Sequence, residues 1–265
     1  MLTLTKNIIR EIRSLEQRKG RREQQAWLAE GNKMVSDLLT ADTFTCLRLI
    51  ATADWWQEHS AYATTARESF TVTRSEMERV SLLQAPQDVL AVFALPHEAD
   101  GTSPAQPVSA RELCLLLDCV QDPGNMGTII RTADWFGVRR IYCSPGTADC
   151  FSPKVVQATM SALARVRVHY FDDREQVCRW LHESQMAVYG TFLEGENIYQ
   201  AQLTPRGEGV LVMGNEGRGV GDDIASYVTR KLLIPSAAAD GNHVESLNVS
   251  VATGICLNEF CRVAR

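Results

Sequence analysis

Leu113-Cys114-Leu115-Leu116-Leu117, followed a few residues on by Asp122-Pro123-Gly124-Asn125-Met126-Gly127-Thr128-Ile129-Ile130-Arg131-Thr132-Ala133, decides how this chain is read. Five consecutive apolar residues suit a strand buried on both faces, and such strands occur mainly in parallel sheets covered by helices. The Pro-Gly turn and the apolar periodicity behind it predict a helix over 128–136. Strand, turn and helix in that order form the repeating unit of an α/β domain.

Working outward, the alternation continues to the C-terminus. Strands are expected at 140–143, 166–170, 186–191, 210–213 and 231–234, with helices at 153–163, 174–183, 222–228 and 247–263. The fold class is therefore α/β: a mostly parallel sheet with helices on both faces. Toward the N-terminus the periodicity stops. Pro96, Gly101, Ser103, Pro104, Pro107 and Ser109 crowd together, which is the composition of a linker. Before it lies a smaller α/β alternation. Ile8, Ile9, Ile12 and Leu15 recur at helical intervals over 5–19, with Gly20 expected to end that helix. A strand and turn at 26–31, a helix at 34–39 and strands at 47–51, 70–72 and 89–93 follow. The expected organisation is an N-terminal α/β domain over 1–96, a linker over 97–110 and a C-terminal domain over 111–265.

Composition narrows the function classes. With 265 residues, 45% hydrophobic and 22% charged, the chain can build two cores and has the balance of a soluble globular protein. No apolar stretch approaches the roughly 18–20 uncharged residues of a membrane span. Met1-Leu2-Thr3-Leu4-Thr5-Lys6 has neither the apolar core nor the cleavage site of a signal peptide, so the cytoplasm is the expected location. Cys46, Cys114, Cys119, Cys143, Cys150, Cys178, Cys256 and Cys261 form no C-x-x-C pair. They read as buried thiols, and no metal is expected. A net charge of −5 excludes a chain that is basic throughout, yet Lys6, Arg10, Arg13, Arg18, Lys19, Arg21 and Arg22 face only Glu11 and Glu16 near the N-terminus. Such a run is either a solvated helix face or a phosphate-binding patch.

Three segments follow predicted strands, at the sheet edge where α/β folds bind ligands. The first is the Asp122–Ala133 stretch quoted above, whose helix start suits an anionic phosphate, with Arg131 as a bidentate donor. Alone it reads better as a Pro-Gly turn capped by Asn125. The second is Leu211-Val212-Met213-Gly214-Asn215-Glu216-Gly217-Arg218-Gly219, a glycine-rich loop without the spacing of a dinucleotide fingerprint or a P-loop. The third is Val244-Glu245-Ser246-Leu247-Asn248-Val249-Ser250-Val251-Ala252, where Ser246 alone would be read as a helix cap.

Taken in order, Asp-Pro-Gly-Asn…Arg, Gly-Asn-Glu-Gly and Ser-Leu-Asn-Val-Ser resemble the three motifs of the SpoU/TrmH family of SPOUT RNA methyltransferases. The resemblance covers about 113–261. The N-terminal pattern Ile12…Leu15…Arg18-Lys19…Arg21-Arg22…Trp27-Leu28-Ala29-Glu30-Gly31 is similar to the substrate-binding domain that often precedes this fold. The resemblance implies a deep trefoil knot over roughly 210–263, S-adenosyl-L-methionine as cofactor, no metal, and a homodimer formed through the knotted domain. It implies contacts to the cofactor from Thr191, Leu193, Gly214, Ile234 and Leu247, and a catalytic set of Asn125, Arg131, Glu216, Ser246 and Asn248. Glu216 would hold Arg131 or another group of the site in place.

The implied reaction moves a methyl group from a sulfonium to a ribose 2′-hydroxyl. A guanidinium is a poor base, so Arg131 is expected to bind phosphate and orient the hydroxyl. Arg10, Arg18, Lys19, Arg21 and Arg22 are the candidate RNA phosphate contacts. Ribosomal RNA is the expected substrate. Transfer RNA and a non-catalytic RNA-binding or ribosome-assembly role on the same fold are the alternatives. A dehydrogenase would need a Gly-x-Gly-x-x-Gly turn, which is absent. The chain departs from the family in its longer 236–243 segment, read as a loop insertion or as a lid bringing His243 to the substrate.

Overall fold

The computed structural model describes residues 3–96, 112–203, 208–238 and 244–263, without the side chain of Val263. The expected linker over 97–110, Arg111, and the 239–243 part of the insertion with His243 lie outside the described residues. Two compact units form: Met1–His97 with Asp149–Arg165, and Glu98–Ala148 with Val166–Arg265.

In the first unit, α1 (Lys6–Ser14) and α2 (Arg18–Gln24) precede β1 (Ala26–Glu30). Then come α3 (Asn32–Ala41), β2 (Cys46–Thr52), α4 (Ala53–Glu58), β3 (Ala66–Val72), α5 (Arg74–Val80) and β4 (Val89–Ala94). The sheet order is β1-β4-β2-β3, with β4 antiparallel to both neighbours and β2 parallel to β3. Ile12, Leu15, Leu28, Ile50, Phe70, Met77 and Leu90 bury together as its core.

The single helix expected over 5–19 is two helices, and Gly20 lies inside the second. A Cβ on Gly20 would sit 2.1 Å from the Ser14 carbonyl oxygen. Glycine is required there by a close backbone approach to the end of α1, not as a helix stop.

The second unit begins with β5 (Leu113–Leu117), α6 (Pro123–Trp135) and β6 (Arg140–Cys143). The next helix, α7 (Pro153–Thr159), falls in the stretch that belongs to the first unit. There Phe151 lies 5.2 Å from Trp27 between ring centroids, and Gln157 Nε2 donates to the Glu30 carbonyl oxygen at 2.9 Å. The chain then forms β7 (Arg167–Tyr170), α8 (Arg174–Ser184), β8 (Val188–Asn197), β9 (Gly209–Met213), α9 (Asp222–Ala225), β10 (Arg230–Leu233) and α10 (Val249–Val263). All six strands run parallel, in the order β10-β8-β9-β5-β6-β7. Cys114 to Leu117 are fully buried, as their unbroken apolar run requires. The chain leaves β5 toward β6 and β7 and later returns with β9 on the other side of β5, so the change of direction falls between those two strands.

Two elements of this unit differ from expectation. Helix α6 starts at Pro123, five residues before position 128, because Asp122 caps it and proline fits the first turn. Strand β8 extends to Asn197 because it bulges and then pairs with β10 again: Gly190 faces Lys231, whereas Glu196 faces Leu232.

Cys46, Cys114, Cys143, Cys150 and Cys256 are buried, and burial pushes the Cys46, Cys114 and Cys256 thiols up to about 12. No helix among the described residues is long and apolar enough to cross a membrane. Among them, no cluster of His, Cys, Asp and Glu is placed to hold a metal ion.

Candidate active site

The three motif segments meet through side-chain hydrogen bonds. Asn125, in the first turn of α6, donates through Nδ2 to Glu216 Oε1 at 2.8 Å. Its Oδ1 accepts from Asn248 Nδ2 at 2.9 Å. Asn248 in turn caps α10: its Oδ1 accepts from the backbone N–H groups of Ser250 and Val251 at 2.9 and 3.4 Å. Ser246, the cap expected from sequence, is exposed and makes no such bond among the described residues. Asn125 is likewise not the cap of its own helix; Asp122 is. Both asparagine side chains are thereby used across the site, tying α6 to α10 and to the loop after β9.

The loop after β9 folds back on itself. Asn215 and Gly219 exchange backbone hydrogen bonds at 2.9 Å each. Asn215 Oδ1 accepts from the N–H groups of Gly217 and Arg218, and its Nδ2 donates to the Cys119 carbonyl oxygen at 2.8 Å. A Cβ on Gly214 would lie 2.3 Å from the Gly219 carbonyl carbon, so the turn closes only with glycine there. The result presents Glu216 outward toward Asn125 from a fixed base beside β5.

The residues assigned to the cofactor come from neighbouring strands, since β10, β8 and β9 lie side by side. Thr191 and Leu193 sit in the bulge of β8, Gly214 follows β9, Ile234 follows β10, and Leu247 immediately precedes Asn248. Leu193 is 71% exposed and Leu247 47% exposed.

Arg131 is exposed on α6, and its guanidinium makes no hydrogen bond or ion pair among the described residues. Glu216 therefore pairs with Asn125 and does not hold the arginine. Such a free guanidinium is available to an anion.

In the first unit, Arg10, Arg18, Lys19 and Arg22 are exposed, Lys19 with Glu23 at 3.7 Å. Arg21 corrects the expectation of a phosphate contact. It is 4% exposed; its guanidinium donates to the carbonyl oxygens of Leu15 and Glu16 and forms a bond pair to Asp149 Oδ2 at 3.2 and 2.6 Å. Four of its five N–H donors are thus spent inside the fold.

Sequence reasoning missed a second polar cluster beside the loop. Asp118, directly after β5, is 2% exposed and accepts from Ser144 Oγ, the Gly221 N–H and Arg174. Arg174 also grips Asp223, and these two carboxylates hold its guanidinium above the ordinary arginine range. The available signal was a cation in the first turn of α8, where the helix dipole disfavours positive charge.

The SpoU rRNA Methylase family matches residues 112–258, and the MRM3-like substrate binding domain matches residues 6–91. The 23S rRNA (guanosine(2553)-2'-O)-methyltransferase RlmP of Bacillus subtilis (strain 168) is 30% identical over 254 residues, which cover 93% of either chain. Among solved structures, a TrmH-family protein from Porphyromonas gingivalis is 42% identical, with a TM-score of 0.86 and 98% of each chain covered. An AdoMet-bound rRNA methyltransferase from Sinorhizobium meliloti is 29% identical, with a TM-score of 0.84, covering 98% of this chain and 97% of its own.

Proposed function

Because the chain belongs to the SpoU rRNA methylase family, we propose that it methylates a ribose 2′-hydroxyl of ribosomal RNA, with S-adenosylmethionine as donor. The observation that carries this reading is the hydrogen-bonded line Glu216–Asn125–Asn248, which draws three separate motifs into one place at the sheet edge. The same membership carries the trefoil knot expected over 210–263.

S-adenosylmethionine, when bound, supplies a methyl group already activated on a sulfonium, so the chain's own work is positioning and electrostatics. Gly214 and the folded-back loop offer backbone groups, while Leu193, Ile234 and Leu247 offer apolar surface and Thr191 a hydroxyl. Arg131 binds the phosphate next to the target nucleotide and orients the 2′-hydroxyl for in-line attack, its proton passing to solvent as the oxygen takes the methyl group. Asn125, Glu216 and Asn248 keep the helix start that carries this arrangement rigid, and Ser246 lies at the open edge for the RNA.

Arg10, Arg18, Lys19 and Arg22 contact RNA phosphates from the first unit, positioning the substrate without reading its sequence. The protein acts as a homodimer through α6 and α10, which pack together and carry the exposed apolar residues Trp135 (84%) and Val251 (51%).

The test is mapping of 2′-O-methyl sites in RNA from cells with and without the protein, followed by transfer of labelled methyl to the site found. One ribosomal RNA position should lose its methyl group. An unchanged ribosomal map with a lost transfer-RNA methylation would replace the substrate; no change anywhere would overturn the reaction.

A further inference from the structure

We infer that Arg174 is a positioning residue, clamping the 214–221 loop in the shape that sets Glu216 against Asn125. This rests on the proposed methyl transfer for its kinetic consequence, though not for its structural one.

The loop is anchored at two points. Near its start, Asn215 Nδ2 holds the Cys119 carbonyl oxygen at 2.8 Å. At its end, the Gly221 N–H donates to Asp118 Oδ2 at 2.8 Å. The freedom of the turn that bears Glu216 is thus decided by whether Asp118 stays where it is. Asp118 is buried, and a buried carboxylate keeps its charge and place only when paired and hydrogen-bonded. Arg174 supplies that pair: Nη1 donates to Asp118 Oδ1 at 2.8 Å and Nη2 to Oδ2 at 3.3 Å.

The same guanidinium reaches past the loop. Its Nε donates to Asp223 Oδ2 at 2.6 Å, and Nη2 donates to Asp223 Oδ1. Arg174 therefore bridges the residue after β5 to the second residue of α9, on either side of the loop's exit. The loop is built to admit it: a Cβ on Gly221 would stand 2.4 Å from Arg174 Nη2. A side chain at 221 would therefore have to push the guanidinium from its present place. From Gly221 the constraint passes two residues back to Gly219, whose backbone exchange with Asn215 closes the turn bearing Glu216.

A planar fork can serve two carboxylates at once, whereas an ammonium serves one point. Arg174→Lys keeps a positive charge for Asp118 but cannot span to Asp223. Hydrogen–deuterium exchange of the full-length variant should show the 214–221 amides exchanging about tenfold faster, with the central strands β5 and β9 unchanged. In turnover assays, KM for S-adenosylmethionine should rise about tenfold and kcat should fall, while KM for RNA stays within twofold.

Loop exchange and cofactor KM both at wild-type level would overturn the clamp. Faster loop exchange in a protein whose wild type transfers no methyl group would uphold the clamp and refute the proposed reaction instead. Should Arg174→Lys fail to fold, Gly221→Ala carries the test, because its Cβ would stand 2.4 Å from Arg174 Nη2 and shift the guanidinium off Asp118 without removing either charge. Its loop exchange should also quicken, and wild-type exchange there would equally overturn the inference.

Discussion

Arg21 in the first unit and Arg131 in the second occupy opposite ends of what an arginine can do. Arg21 sits in α2 among Arg18, Lys19 and Arg22, yet it is buried, with two carbonyl oxygens and Asp149 around its guanidinium. Arg131 sits alone on α6, exposed and without a partner among the described residues. The residue in the basic run is structural, and the guanidinium of the solitary one is left open. Local charge density thus says little about which cation meets an anion from outside. What decides it is whether the backbone brings acceptors to the side chain first.

The largest expected effect separates Arg21 from its neighbour. Arg21→Ala should cost about 3–5 kcal/mol of unfolding free energy by denaturant titration, since it strands buried acceptors and Asp149. Arg22→Ala should change stability by no more than about 0.5 kcal/mol and weaken RNA binding instead, with a shallower salt dependence. Equal stability losses in the two variants would erase the distinction. Next, Arg131→Ala should lower kcat by about 10²–10³-fold while calorimetry finds S-adenosylhomocysteine binding within twofold of wild type. A variant with normal turnover would make Arg131 an ordinary surface residue.

Asn248→Ala sits between the two regimes, because this side chain both caps α10 and holds Asn125. Loss of the cap should cost about 1 kcal/mol, and kcat should drop further than that stability change accounts for. The smallest effect concerns acid. The Arg174 hydrogen bond holds the Asp223 carboxyl below its usual range. A depressed folded-state value stabilises the fold above the unfolded value near 3.8, and that stability is lost as pH falls through the lower folded value. Asp223→Asn should therefore lower stability slightly and evenly above about pH 4, and the difference from wild type should vanish as pH falls through the lower folded value.

Much of this molecule was legible in one dimension. Unbroken apolar runs such as Leu113–Leu117 specified strands buried on both faces, and the periodicities between them specified covering helices, because burial on two sides leaves no position for a polar residue. Motif wording brought Asn125, Glu216 and Asn248 together as candidates, and the fold joins them by hydrogen bonds. Where expectation failed, the deciding contact was distant in sequence or the local pattern was ambiguous. Gly20 looks like a helix stop until the Ser14 carbonyl is placed against it. Ser246 looks like the cap until Asn248 is the one at the first turn of α10. Arg21 looks like its neighbours until Asp149, 128 positions away, arrives beside it. Asp118, Arg174 and Asp223 carry no shared motif and become a cluster only when β5, α8 and α9 converge.

The sequence by itself therefore determined the layered α/β plan and the residue types of the site, since periodicity and motif chemistry are properties of neighbours along the chain. Tertiary structure alone decided which charged side chains are consumed and which remain open. A guanidinium's fate depends on the acceptors within about 3 Å of it, and those come from anywhere in the chain.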